Sequence, residues 1–461
     1  MNEGAHRLDP TVLREYDIRG IVGKTLSVDD ARAVGRGFGS AIVGSGGRRV
    51  AVGYDGRLSS PAMEAAVVEG LVASGLEAVR IGRGPTPMLY FAVFHLELDG
   101  GVMVTGSHNP PDYNGFKMMQ GKRSFWGADI QELGRRVAQG DLSRGAGQAR
   151  SHDIFDAYVA RLAGDFRGSR DLTVAWDPGN GAAGDAVMAL TRRLPGRHVV
   201  INGAIDGTFP AHHPDPTEVK NLLQLQDSVR REKADLGIAL DGDGDRIGVV
   251  DGEARILWGD QILALLAREV LDEVPGATII ADVKASAAVA DDVRAHGGTA
   301  LYWKTGHSII KSKMSAIKAP LAGEMSGHIF FAHRWYGFDD ALYAAVRLLS
   351  IAASGKKSLA ALRDELPRYV NTPELRFPCA EDRKFQVVAE VQARLKQAGA
   401  DVNDVDGARV STADGWWLLR ASNTQDVLVA RCEARDEGGL ARLKEALARE
   451  LRASGIEPPT P

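Results

Sequence analysis

The residues most able to do chemistry begin at Thr105-Gly106-Ser107-His108-Asn109-Pro110-Pro111, a hydroxyl with a histidine beside it and Lys117 downstream. Gly, Asn and Pro continue neither strand nor helix. After the apolar run Gly101-Val102-Met103-Val104, the serine therefore belongs on a tight loop at the end of a buried strand. Open α/β sheets hold ligands at that place. A hydroxyl there lies near groups that move protons or steady an anion. Alone, the heptapeptide fits an ordinary surface turn equally well.

A second group is Asp241-Gly242-Asp243-Gly244-Asp245-Arg246, between the apolar runs Leu236 to Leu240 and Ile247 to Val250. Three carboxylates this close repel one another, and a divalent cation relieves the repulsion. Hard oxygen ligands favour Mg²⁺ or Ca²⁺ over zinc. A calcium EF-hand also begins D-x-D-x-D, but it needs Gly next and Glu at the twelfth position, where this chain has Arg246 and Gly252. Mg²⁺ serving phosphate chemistry is the expectation. Arg420-Ala421-Ser422-Asn423-Thr424 is dense in donors, with no carboxylate until Asp426. It suits a phosphate, or it is a hairpin turn that bonds its own backbone. Tyr16-Asp17-Ile18-Arg19-Gly20 either points Tyr and Arg into a cleft or forms a surface turn.

These groups need elements to hold them, and one pattern recurs. Val50-Ala51-Val52-Gly53-Tyr54-Asp55, Val174-Ala175-Trp176-Asp177 and Ile279-Ile280-Ala281-Asp282 each end a strand on Asp, pass a polar turn and enter a helical segment. The first such helix, Ser60 to Ser74, opens on Ser-Pro, which reads as an N-cap followed by proline. A second short strand follows in each copy: Ala78 to Ile81, His198 to Ile201, and Thr299 to Tyr302. A third run then ends in a polar loop: the Ser107 loop, the Asp241 loop, and Gly323-Glu324-Met325-Ser326-Gly327-His328 after Ala319 to Ala322. Alternation of strands and helices predicts three similar α/β units with parallel or mostly parallel sheets. Beyond about Leu366 the pattern becomes α+β: a helix over Phe385 to Gln397, strands at Ala408 to Thr412, Gly415 to Arg420 and Val427 to Cys432, and a last helix from Gly439 to Ser454. The expected units are 1–153, 154–255, 256–367 and 368–461.

Composition excludes other classes. Hydrophobic content of 44% with 25% charged residues describes a globular chain, neither disordered nor membrane-embedded. The net charge of -4, with mixed signs, gives no field for nucleic acid. No window reaches ~18 uninterrupted apolar residues, and the first twenty residues lack a signal-peptide core. A cytoplasmic monomer acting on small molecules is expected. Cys379 and Cys432 lack metal-ligand spacing and are expected to be reduced.

With the Ser107 loop, Asp241 to Arg246, Glu324 to His328 and Arg420 to Thr424 in that order, the chain resembles the α-D-phosphohexomutases, in their bacterial phosphomannomutase/phosphoglucomutase branch. The resemblance implies four domains around a central cleft and a phosphoryl group on Ser107. It implies Mg²⁺ held by Asp241, Asp243 and Asp245 with the phosphoserine, and Arg246, Lys117, Arg19 and His108 around the transferring group. Glu324 and Ser326 would hold sugar hydroxyls, with Tyr16, Lys284, His307 and His328 also at the substrate. Arg420, Ser422, Asn423 and Thr424 would grip the phosphate that is not moving. Gln425-Asp426 departs from the acidic residue and proline frequent in relatives. The implied activity is transfer between O1 and O6 of mannose and glucose phosphates, with a hexose 1,6-bisphosphate as intermediate and activator. A phosphoglucosamine mutase and a Mg²⁺-dependent sugar-phosphate hydrolase are the alternatives. Met325 and Ser326 favour plain hexoses over amino sugars, and a fourth domain has no use in a hydrolase.

Overall fold

The computed structural model describes residues 5–355, 357–423 and 425–457, so Thr424 of the predicted phosphate grip lies outside the described residues. The threefold pattern in the sequence becomes a threefold topology. In the first sheet Glu77–Arg83, Arg49–Tyr54 and Gly100–Val104 lie side by side in parallel, and Tyr113–Gln120 returns antiparallel beside the last. The same order of second, first, third and antiparallel return is built by Arg197–Val200, Thr173–Asp177, Leu236–Leu240 and Ile247–Asp251. It is built again by Thr299–Trp303, Thr278–Asp282, Leu321–Gly323 and Ile329–Phe331. Each chemical loop joins the third strand to its return strand. The sheets are therefore mixed, and the return strand carries chemistry of its own: Lys117 sits on one, opposite Met103.

Helix starts differ from expectation: the helix expected from Phe385 begins at Glu381, the last begins at Glu437, and the helix Ser60–Ala73 is capped differently. That helix begins at Ser60, with Ser59 as a cap whose hydroxyl bonds no helix N–H and accepts from Asn114. Ser60 instead donates its hydroxyl to Asp55, 2.5 Å away. A nearer carboxylate has taken the hydroxyl from the capping role.

The fourth sheet, in which Asp401–Asn403, Ala408–Ser411, Gly415–Ala421 and Val427–Ala434 run antiparallel in succession, packs the helices Glu381–Gln397 and Glu437–Ala453 on one core. It meets the third unit through Arg409, whose guanidinium lies 3.9 Å from the Tyr302 ring centre and 3.6 Å from that of Trp416. Arg409 also donates to the carbonyls of Val283 and Ala285, beside Lys284. Both cysteines are free and buried. Among the described residues no helix is long and apolar enough to cross a membrane.

The first three units share one core. The helix Thr86–His95 (TPMLYFAVFH) is apolar on every side, and such a helix must be covered all round. Phe91 packs against Tyr158 and Trp335, and Trp335 stacks on Tyr343 with centres 4.0 Å apart. Asp340 caps the helix Ala341–Ala352 by accepting from Tyr343 N at 3.0 Å, and it accepts from the Tyr158 hydroxyl.

Burial pushes the Asp340 carboxyl up to about 7 from 3.8. An acid whose folded pKa exceeds its unfolded one takes up a proton on folding between those values. Its contribution then falls as pH rises through that window. Asp340→Asn, which keeps the cap acceptor, should make the loss of unfolding free energy between pH 4 and 7 shallower, as measured by denaturant titration. An unchanged slope would disprove this.

Candidate active site

Ser107 has φ +50, so its tight loop holds a non-glycine residue in the left-handed region. Such a conformation persists only where the surroundings enforce it. Here Arg57, whose side chain is fully buried, supplies the enforcement. It donates to the carbonyls of Ser107 at 2.8 Å, Asn109 at 2.6 Å and Tyr113 at 2.9 Å, and to that of Pro110. Its Nε donates to Asp55 at 3.1 Å, and Asp55 in turn accepts from Gly106 N. One planar guanidinium thus fixes the outline of the loop.

Ser107 Oγ donates to Asp241 Oδ2 across 3.1 Å, joining the first unit to the second. Gly242 permits this approach, since a Cβ there would stand 2.3 Å from the Ser107 carbonyl oxygen. Lys117 Nζ reaches Asp243 at 2.7 Å and also contacts Asp245. Thr86 binds Asp243 twice: its N donates to the carbonyl at 2.8 Å and its hydroxyl to the carboxylate at 2.5 Å. Asp241, Asp243 and Asp245 all have zero exposure. Burial and then the charges of Asp243 and Asp245 push the Asp241 carboxyl well above the usual range. Burial also acts on Asp245, but Lys117 and His328 outweigh it and hold that group low. Burial opposes the Lys117 charge, yet the three carboxylates raise its pKa and keep it an ammonium.

A cation would fit the triad. One carboxylate oxygen from each Asp lies within 4.8 Å of the other two. Among the described residues Asp243 Oδ1 and Asp245 Oδ1 are buried without a well-formed hydrogen bond, Asp245 Oδ1 having only the His328 ring 3.3 Å away. Orphaned hard oxygens suit an ion such as Mg²⁺, which would compete with Lys117 for the same group.

The third loop joins the second through backbone. Ile247 N donates to Gly327 O at 3.0 Å, and Arg246 and His328 form an isolated bridge. His328 stands 3.3 Å from Asp245 and 2.9 Å from Glu324. Burial disfavours its charge, but Asp245 foremost raises its pKa to about 9. Glu324 accepts from Gly306 N at 2.6 Å, and Ser326 donates to it at 3.3 Å. His307 is buried edge-on to Tyr16, with Asp339 3.9 Å away.

The fourth unit arrives through Asn423, which donates to the Tyr16 hydroxyl at 2.8 Å, while that hydroxyl donates to Thr305 O at 2.9 Å. Burial raises the Tyr16 pKa to about 12, so it remains a phenol. Arg420 Nε and Thr305 N share Asp406 Oδ2, each at 3.0 Å. Ser422 accepts from Gln425 N at 3.2 Å. Arg19 pairs with Asp17 and donates to Asn109. His108 Nδ1 lies 2.9 Å from Asp215, and burial lowers the His108 pKa to about 4. Lys284 pairs with Glu374 at 3.1 Å. A cavity of about 1300 Å³ is lined by His108, Arg246, Lys284, Ser326 and Gln425 among others. Ser107 itself is 2% exposed.

Direct contacts thus link Ser107, the three aspartates, Lys117, His328, Glu324, His307, Tyr16 and Asn423, while His108, Arg246, Lys284 and Ser326 share the cavity wall. The partners Asp55, Arg57, Thr86, Asp215, Asp339 and Asp406 escaped sequence reasoning. Asp55-Gly-Arg57 reads as turn punctuation, and nothing in the sequence sets Asp406 apart from its neighbours Asp401 and Asp404. The single hint was that Asp55 ends a buried strand, where a carboxylate needs a partner.

Family models described as phosphoglucomutase/phosphomannomutase match the chain four times: alpha/beta/alpha domain I at residues 10–142, domain II at 156–254, domain III at 258–369, and the C-terminal domain at 374–450. A phosphomannomutase/phosphoglucomutase of Pseudomonas aeruginosa is 42% identical over 457 residues, 99% of each chain. A phosphoglucomutase of Neisseria gonorrhoeae is 42% identical over 94% of this chain and 95% of its own. A crystal structure of a phosphoglucomutase/phosphomannomutase family protein from Burkholderia thailandensis superposes with TM-score 0.93 at 43% identity, covering 98% of this chain and 99% of that one.

Arg57→Ala would leave Asp55 buried without its counter-charge and strip the donors from four carbonyls. We expect a loss of about 3–5 kcal/mol in unfolding free energy, with faster amide exchange at Gly106 to Asn109. Wild-type protection of those amides in the variant would contradict the clamp.

Proposed function

Because the chain belongs to the phosphoglucomutase/phosphomannomutase family, we propose that it moves a phosphoryl group reversibly between O1 and O6 of mannose and glucose phosphates, with Ser107 as the carrier. The observation behind the serine's role is its hydroxyl, 3.1 Å from a buried acidic triad, on a loop clamped in a strained conformation.

In the forward step a hydroxyl of the bound sugar phosphate attacks the phosphorus carried on Ser107. The bond from phosphorus to Ser107 Oγ breaks, and a hexose 1,6-bisphosphate forms. After the bisphosphate turns end for end, Ser107 Oγ takes the other phosphoryl group by the reverse chemistry. Such transfers depend on positioning and positive charge more than on covalent steps. Lys117, which reaches Asp243 and Asp245, and Arg246, on the loop of Asp241, supply fixed positive charge around the triad that Ser107 Oγ meets. Mg²⁺ held by Asp241, Asp243, Asp245 and the serine oxygen would polarise the phosphoryl group and offset its charge. Asp215, an acceptor, fixes the His108 proton on Nδ1 and leaves Nε2 a lone pair. Neutral at physiological pH, His108 is suited to take the proton of the attacking hydroxyl. Lys117, held as an ammonium, is not. Glu324 and Ser326 receive sugar hydroxyls, and Tyr16, Lys284, His307 and His328 line the substrate's place.

Arg420, Ser422, Asn423 and Thr424 grip the phosphate that stays. Arg420 holds Asp406 through Nε, which leaves its terminal nitrogens to reach a phosphate. The same grip must serve both orientations of the bisphosphate, which explains donors without a carboxylate of their own. Hexose 1,6-bisphosphate activates by restoring a phosphoryl group that water has removed from Ser107. On this reading the enzyme works as a cytoplasmic monomer on small hexose phosphates. An amino-sugar substrate is not favoured.

Ser107→Ala should lower turnover on glucose 1-phosphate by on the order of 10³-fold or more, in a coupled assay, with the circular dichroism unchanged. A variant with wild-type turnover would remove the phosphoserine step. Arg420→Ala should raise KM about tenfold or more, since a charged hydrogen bond contributes roughly 1.5–3 kcal/mol. Unchanged KM and kcat would remove the grip.

A further inference from the structure

On the cavity wall, apart from the acidic triad, three side chains of different chemistry face one another. Asp215 Oδ2 lies 2.9 Å from His108 Nδ1, and His213 brings a second imidazole. One donor atom from each lies within 4.8 Å of the other two. All three line the large cavity, which leaves room for water as a further ligand. The second oxygen of Asp215 is held by Thr217, whose N donates at 3.0 Å and whose hydroxyl donates at 2.6 Å. That orients the carboxylate as an outer-shell partner orients a metal ligand. Among the described residues the His213 ring has no hydrogen-bond partner.

We propose that His108, His213 and Asp215 form a second divalent-cation site, suited to a borderline ion such as Zn²⁺ and not to Mg²⁺, whose occupation arrests turnover. Two imidazoles, one carboxylate and an open position are a common zinc set, whereas Mg²⁺ demands oxygen ligands throughout. Donors about 2 Å from a tetrahedral ion stand roughly 3–4 Å apart. Small side-chain movements therefore close the present spread. The cost to catalysis follows from the tautomer. A cation seated between Asp215 and His108 takes the Nδ1 lone pair, so the ring proton must move to Nε2. No proton is lost, but the lone pair assigned to the sugar hydroxyl disappears. This inhibitory arm rests on the proposed mutase reading, and the binding arm does not.

The test uses the full chain saturated with Mg²⁺, so that the acidic triad is occupied, with substoichiometric Cu²⁺ as a paramagnetic probe. The expected electron paramagnetic resonance spectrum carries nitrogen hyperfine structure from two imidazoles, reduced to one in His213→Gln. An oxygen-only spectrum for the wild type, or the same nitrogen pattern in both proteins, would overturn the site whether or not the variant folds well. With Zn²⁺ in the mutase assay, His213→Gln should retain its turnover in Mg²⁺ alone. It should need about tenfold more Zn²⁺ or greater for half-inhibition, since even outer-shell partners cost about 10- to 100-fold in affinity. Equal inhibition of both proteins would overturn the link to turnover. Absence of mutase turnover in the wild type would refute the mutase reading while leaving the spectra to decide the site.

Discussion

Three carboxylates buried side by side would repel one another and lose their hydration, at a cost that no single unit of this chain can offset alone. Asp241, Asp243 and Asp245 stand on one loop, but the cations that compensate them come from elsewhere. Lys117 comes from the first unit's return strand, and His328 comes from the third unit's loop. Only Arg246 is local. The negative centre therefore draws three sheets together, and the serine arrives with the sheet that brings Lys117. The same crowding that could hold a metal also assembles the site around it.

The repeated topology makes that convergence possible. In each of the first three sheets the chemical loop joins the third parallel strand to an antiparallel return strand. The loops project from equivalent ends, while the shared apolar core around Phe91, Trp335 and Tyr343 fixes the sheets relative to one another. The fourth unit is attached differently. Its Arg409, between two aromatic rings and bonded to two carbonyls, makes a firm joint with the third unit. At the site, the Asn423 to Tyr16 bond is worth only about 1 kcal/mol. The joint beside Lys284 is therefore firm, whereas the bond from Asn423 to Tyr16 ties the fourth unit only weakly to the first.

Much of this was legible in the sequence because it was local. The strand-Asp-turn-helix pattern gave the three units, and the glycine-separated aspartates announced a cluster able to hold a cation, because repulsion within one loop needs no tertiary knowledge. The loops' order identified the family resemblance, which the family models and relatives bear out. What escaped was pairing at long range. Arg57 acts on carbonyls about fifty residues away, and no periodicity marks a guanidinium that will be buried. Asp215 and Asp406 became partners only when their loops met His108 and Arg420. Lys117 was legible as a cation near the serine, but its grip on Asp243 and Asp245 depends on the return strand, which alternation of strands and helices does not reveal.

Whether buried charge holds the site together is most directly measured by a double-mutant cycle on Lys117→Met and Asp243→Asn, read as unfolding free energy in the absence of divalent cation. Each single change should be strongly destabilising, and the double variant should recover part of the summed loss, with a coupling energy of roughly 1–3 kcal/mol. Strict additivity, within about 0.5 kcal/mol, would mean that Lys117 and the triad do not depend on one another. The neutralisation described above would then not be what joins the serine loop to the acidic loop.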